Sequence, residues 1–149
     1  AKVSLMIFII LTVSGFFFTS LLFYLNHRFV GHGPLGKLPL LKYIRKMHMI
    51  HHRNDYNEKR NEHLLLPLSA KFLFLLAFLL ICLISVPFAI GCLSYSIYYE
   101  WLHYKMHNDD QAGVCSRHHY IHHRESSKHN FSGTMPFIDK IFGTYLKNT

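Results

Sequence analysis

Apolar residues fall in two long blocks, and polar residues fill the intervals between them. From Val3 to Leu25 the chain reads VSLMIFIILTVSGFFFTSLLFYL, 23 residues without a charge. A helix of that length spans about 34 Å, enough for a hydrocarbon core of about 30 Å. A signal peptide is the competing reading, but its apolar core is shorter, roughly 7–15 residues, and a small-residue cleavage site follows it. Here the run leads directly into His27, so we read a membrane segment over 3–25. The second block runs from Leu64 to Tyr99 with Lys71 as its only charge. As one straight helix it would be about 54 Å long, too long for one crossing. Pro87 removes a helix hydrogen bond and disfavours helix in the residue before it. The pattern therefore predicts two short helices, 72–86 and 88–103, joined as a hairpin. A partly inserted re-entrant hairpin is the alternative. Residues 33–46, GPLGKLPLLKYIRK, read as a Gly/Pro loop followed by a basic helix start, a surface-lying connector whose Leu and Ile face lipid. The expected fold is all-α: one integral membrane helical domain over 1–149, with a histidine-rich helical cap on its cytoplasmic face.

The charge pattern supplies the orientation. The polar intervals, 26–63 and 103–149, hold 14 of the 16 Lys and Arg and all 13 His. If the hairpin enters and returns, both intervals lie on one side, and the positive-inside bias makes that side cytoplasmic. Half of the residues are hydrophobic and 16 % are charged, against roughly 25 % charged in ordinary soluble domains. This excludes a disordered chain and a typical soluble globule. The formal charge of +8 would suit nucleic acid, but half the chain belongs in lipid, so no nucleic-acid partner is expected. Cys82, Cys92 and Cys115 give no even-numbered framework and no CxxC pair. No structural disulfide is expected, and Cys82 and Cys92 read as buried spectators.

The histidines form four clusters. They are the HX4H pair His27 and His32, the HX2HH box His48, His51 and His52, the HX3H pair His103 and His107, and a second HX2HH box, His119, His122 and His123. On a helix, residues i, i+3 and i+4 share a face, so each HX2HH box points one way, and so does the HX3H pair. His27 and His32 are about 140° apart on an ideal helix. They converge only if the helix end loosens, which Gly31, Gly33 and Pro34 permit. Imidazole binds Fe, Zn, Cu and Ni, and one helical turn is enough for a chelate. Ten imidazoles exceed the four to six ligands of one first-row ion, so the set suggests two metals with open positions. An isolated HX3H is often surface chance; four clusters at one edge of the membrane are not.

The remaining histidines read differently. His63 lies in a solvated charge run and reads as surface. His118 points about 100° away from its box neighbour and reads as surface or as a residue behind the ligands. His129, in SKHNFSG, reads as surface with an orienting role as the alternative. Glu100 shares the face of His103 and His107, where it either orients an imidazole or is a plain acid at a helix end.

In the order HRFVGH, HMIHHR, WLHYKMH and HHYIHHR, these motifs resemble the histidine boxes of the fatty acid hydroxylase / sterol desaturase superfamily. The stretch PFIDKIFGTY resembles that family's closing segment. The resemblance covers Leu21 to Tyr145. It implies a cytoplasm-facing di-metal centre, taken to be two iron ions, and O2-dependent hydroxylation or desaturation of a lipid chain drawn from the bilayer. It assigns ligand roles to His27, His32, His48, His51, His52, His103, His107, His119, His122 and His123. It also implies a multi-pass location in a bacterial inner membrane or the endoplasmic reticulum. The chain departs from relatives in three ways. No cytochrome-b5-like domain is fused to it, so a separate electron donor, cytochrome b5-like or ferredoxin-like, is expected. About three membrane segments stand where four are common, and HNFSG replaces the usual NFG. The YYEWLHY run is most similar to sphingolipid fatty acid 2-hydroxylases. The short HX3H box, 12 residues before the last HX2HH, favours a hydroxylase over the acyl-CoA desaturases.

Residue chemistry adds two expectations. Zn2+ stands above Fe2+ in affinity for nitrogen ligands, so purified protein is expected to carry Zn2+ in place of iron. Phe16, Phe17, Phe18, Phe23 and Met49 are candidates to line an acyl slot beneath the metals. The alternatives are a lipid desaturase of the same superfamily and a non-enzymatic membrane metal-binding protein, such as a transporter or Zn sensor. The last lacks the mid-depth His, Asp or Glu of a permeation path. A b-type haem carrier would need His pairs facing each other across the membrane, and these crowd at one edge.

Overall fold

The computed structural model describes residues 4–53, 68–108 and 113–147. All regular structure among them is helical. Helix α1 spans Leu5–Leu25, begins at Ser4, whose hydroxyl accepts the Ile7 N–H at 3.3 Å, and runs on into a π-helical turn, Asn26–Gly31. A 3-10 turn, Pro34–Lys37, leads to α2, Lys42–Arg53. Then come α3, Leu68–Cys82, α4, Val86–Asn108, α5, Gly113–Arg124, and the short α6, Pro136–Ile141.

The frame is set by α1 against α4. Gly15 lies beside Phe88, Phe16 beside Tyr95 and Phe23 beside Tyr99. Both sequences rise together, so the two helices are parallel and bring their C-terminal ends to the same place. That is why the histidines that follow α1 and those at the end of α4 lie at one end of the molecule. Two glycines permit the close crossing. A methyl on Gly15 would strike the Phe88 carbonyl, and one on Gly91 would strike that of Thr12. Small residues at a helix crossing let backbones touch where lipid supplies no hydrophobic drive between helices. Helix α3 packs antiparallel on α4, with the Lys71 ammonium 3.1 Å from the Glu100 carboxylate, and its Phe74 also reaches Phe23 of α1.

The hairpin forms, but its corner differs from the expected 72–86 and 88–103. The chain turns at Leu83–Ser85, and Pro87 is the second residue of α4. In a first turn the missing N–H has no intrahelical partner to lose, so proline starts the helix rather than ending one. Ser85 caps the same turn, its hydroxyl accepting the Phe88 N–H at 3.4 Å. At the other end nothing in WLHYKMHN stops the helix at 103, so His103 and His107 share one continuous element.

One helix, Leu5–Gly31, 27 residues, is long and apolar enough to cross a membrane among the described residues. The apolar stretch of α3, Lys71–Cys82, is shorter than that. Helix α4 has 23 residues, but its last third carries Glu100, His103, Lys105 and His107. Large apolar side chains cover the outside of α1 and α3, from Ile9 and Phe17 to Phe72 and Leu79, each about half exposed or more. The connector before α2 also exposes Leu35, Leu38 and Leu40, and α2 itself exposes Ile44.

Candidate metal centre

The π turn solves the HX4H problem. Its i→i+5 hydrogen bond, His32 N to His27 O at 3.1 Å, sets residue i+5 above residue i. The two rings come to 5.2 Å. Gly31 leaves room for the third ring, since a Cβ there would sit 2.8 Å from His48 Cδ2.

Nine of the ten box histidines form two groups whose ligand atoms lie within 4.8 Å of one another. One group is His27, His32, His48, His52 and His122; the other is His51, His103, His107 and His119. The tenth, His123, lies between them. Its Nε2 is 3.1 Å from His51 Nε2, and its ring stacks on His52 at 4.0 Å. Each HX2HH box is thus divided. His51 parts from His48 and His52, and His119 parts from His122, because the facing imidazoles arrive from different helices.

The nitrogens fit an ion. His32 Nε2 lies 2.7 Å from that of His48, 3.1 Å from that of His52 and 3.0 Å from that of His122. The His122 and His52 nitrogens are 3.2 Å apart, and those of His107 and His119 are 2.8 Å apart. One N–H satisfies one neighbour only, so hydrogen bonds do not account for three nitrogens around His32. Imidazoles sharing a metal at about 2.1 Å stand about 3 Å apart at adjacent positions. His27 Nε2 is buried without a hydrogen-bond partner among the described residues. The tautomers agree: His27 Nδ1 donates to the Phe131 carbonyl and His122 Nδ1 to that of His129 at 2.6 Å, which leaves both Nε2 lone pairs directed inward.

Burial keeps these rings neutral. Desolvation first, then repulsion by neighbouring His122, lowers His32 from its ordinary 6.5 to about 3. The same two causes, in the same order, bring His52 to about 3. Burial brings His122 to about 4, against the opposing hydrogen bond to His129. His48, His51, His119 and His123 are also lowered well below the usual range, by burial first and then by the neighbouring imidazoles. Neutral imidazole is the form that binds metal.

The sequence reading missed the support behind these rings. Asp139 is fully buried and takes four hydrogen bonds. They come from the N–H groups of Phe131 and Ser132 at 2.8 and 2.9 Å, from Thr144 Oγ1 at 2.7 Å and from His118 Nε2 at 3.0 Å. Burial acts to raise this carboxyl, but hydrogen bonds led by that of His118 outweigh it and hold it below its ordinary value. An ionised carboxylate only accepts, so Thr144 donates to it, Tyr24 donates to Thr144 at 3.0 Å, and Arg28 donates to Tyr24 at 2.8 Å. A lone acid in the apolar run PFIDKIFG was the available signal. His118 is therefore neither a surface residue nor one of the grouped donors: it anchors α5 to Asp139. His129 bonds Ser126 Oγ at 2.8 Å through its ring, and it is its carbonyl that reaches His122. Glu100 pairs with Lys71. His63 lies outside the described residues. Of the slot candidates, Phe16 and Phe23 pack inward on Tyr95 and Tyr99, Met49 is half-buried, and Phe17 and Phe18 are about half exposed on the outer face.

The sequence model of the fatty acid hydroxylase family matches residues 12–144, from mid-α1 to the segment after α6. The chain belongs to the fatty acid hydroxylase family. That family is membrane-associated and typically iron-dependent, and its members are generally oxidoreductases, hydroxylases or desaturases. The match spans all four histidine clusters, so the buried groups lie within the family's region. No curated protein and no solved structure matches the chain.

Proposed function

We propose that this chain is a membrane-bound, O2-dependent lipid hydroxylase whose histidines hold two iron ions. The observation that supports this most directly is the convergence of the boxes into two adjacent imidazole groups at the common end of α1 and α4. In this reading His27, His32, His48, His52 and His122 hold one ion. His51, His103, His107 and His119 hold the other, with His123 at the seam. Bound iron supplies the redox chemistry: one oxygen atom of O2 enters a C–H bond, and the other leaves as water with two protons and two electrons from a separate donor.

The chain's own residues do the rest. The buried, neutral imidazoles present lone pairs without first losing protons. The Phe131 and His129 carbonyls fix the orientation of two of them. An aromatic column runs from the apolar belt to the site: Phe16 on Tyr95, Tyr95 on Phe23, Phe23 on Tyr99, and Tyr99 stacked on His103 at 5.4 Å. We assign this column to guiding an acyl chain from the bilayer and excluding water. In this reading helix α1 crosses the membrane and the α3–α4 hairpin enters and returns, and the excess of Lys and Arg in the polar intervals supports a cytoplasmic site.

The test is expression in a lipid-producing host, with mass spectrometry of total fatty acids and sterols. A lipid gaining one oxygen atom supports hydroxylation. A lipid losing two hydrogens makes the protein a desaturase. No new lipid with a metal-loaded protein would favour a non-enzymatic metal-binding role.

A further inference from the structure

The two orienting carbonyls belong to one short segment, and both of their histidines belong to one group. His129 O holds His122 from α5, and Phe131 O holds His27 from the π turn after α1. These ligands come from helices 95 positions apart in the chain, yet one tripeptide sets both rings. Between the two carbonyls stands Asn130, fully buried with a φ of 59°. That left-handed conformation is uncommon for a residue other than glycine, although Asn tolerates it best. It reverses the chain so that residues 129 and 131 each present a carbonyl to the site. The Asn130 side chain secures the reversal, donating to the carbonyls of His118 and Leu146 at 3.3 and 3.0 Å and accepting the Leu146 N–H at 2.8 Å. Asp139 holds the other flank by accepting the N–H groups of Phe131 and Ser132.

We propose that residues 129–132, locked by Asn130 and Asp139, form a carbonyl clamp that positions two ligands of the five-histidine group and leaves the two metal positions unequal in affinity. Asn130 and Asp139 are positioning residues, acting through Phe131 and His129 on His27 and His122. The proposal rests on the metal-centre reading above. Loss of groups that orient metal-bound histidines typically costs 10–100-fold in metal affinity. Here that loss is confined to one ion of two.

The experiment is Co2+ titration of the full-length, metal-stripped chain in detergent, followed by d–d absorption and metal content, for wild type and for Asp139→Asn, Asn130→Gly and His122→Ala. Asn130→Gly keeps the positive φ accessible while removing the side-chain bonds, so it tests the clamp if Asp139→Asn fails to fold. Expected is uptake of two Co2+ by wild type. In Asp139→Asn and Asn130→Gly one Co2+ should bind 10–100-fold more weakly, while the other keeps its wild-type affinity and absorption band. The weakened ion should be the one that His122→Ala loses, so combining either variant with His122→Ala should lower affinity for the remaining ion no further. General loosening of the fold would instead shift both bands. Equal weakening of both ions, or wild-type binding of both in the two clamp variants, would overturn the clamp. Failure of wild type to take up two Co2+ would overturn the metal-centre reading itself.

Discussion

Replacing Gly91 with Ala tests whether the parallel crossing of α1 and α4 builds the site. The added methyl would strike the Thr12 carbonyl oxygen, with Phe16 N at 2.8 Å and Thr12 C at 2.9 Å behind it. All three are helix backbone, so no side chain can swing away. Ordinary contact between carbon atoms needs about 3.5–4.0 Å, so the axes must part by about 1 Å, a gap that forfeits a quarter to a half of each neighbouring dispersion contact. The aromatic pairs Phe16–Tyr95 at 5.1 Å and Phe23–Tyr99 at 4.7 Å span the same seam. Such pairs contribute about 0.5–1.5 kcal/mol each beyond their burial. With an overpacking cost of about 1–3 kcal/mol, we expect Gly91→Ala to lose about 3 kcal/mol. The assay is denaturant unfolding of the detergent-solubilised chain, followed by circular dichroism. Gly15→Ala should behave alike, because its methyl meets Phe88 C at 3.0 Å and Cys92 N at 3.1 Å across the same seam. The double variant should cost less than the two singles together, since one separation of the helices relieves both clashes. Wild-type stability in Gly91→Ala, or full additivity in the pair, would refute the crossing as described.

Three further outcomes follow from the site. His122→Ala or His51→Ala should abolish product and lower metal content, read by mass spectrometry beside elemental analysis; unchanged metal content in both would remove them from the ligand set. Metal-free protein should lose stability as pH falls. The unfolded histidines take up protons near 6.5, whereas His32 and His52 do so only near 3 and His122 near 4, so the stability present above 6.5 drains away between 6.5 and about 3. A melting temperature flat across that window would contradict the buried, neutral cluster. Product formation should require Fe2+ with a reductant and vanish on exchange to Zn2+, which does not change oxidation state; full turnover by the Zn2+ form would exclude an oxygenase.

Local signals in the chain were enough to specify the helical class, the presence of a hairpin in the second apolar block and the ten box histidines, because each is short-range. Uncharged runs mark apolar helices by composition, and i, i+3, i+4 spacing marks a shared face. The hairpin corner was ambiguous for the same reason: Pro87 serves equally as the end of one helix or the first turn of the next, and only Ser85 beside it favours the second. Which imidazole joins which group was not local at all. His51 and His52 are neighbours in sequence yet part company, because His32 and His122 approach one and His103 and His107 the other. Asp139 gave still less sign of itself. Its four donors come from residues 118, 131, 132 and 144, and a carboxylate becomes an anchor only when folding removes water and brings those donors to it. Spacing along the chain singled out the box histidines; the parallel seating of α1 on α4, and the reversal of the backbone at Asn130, decided how they meet.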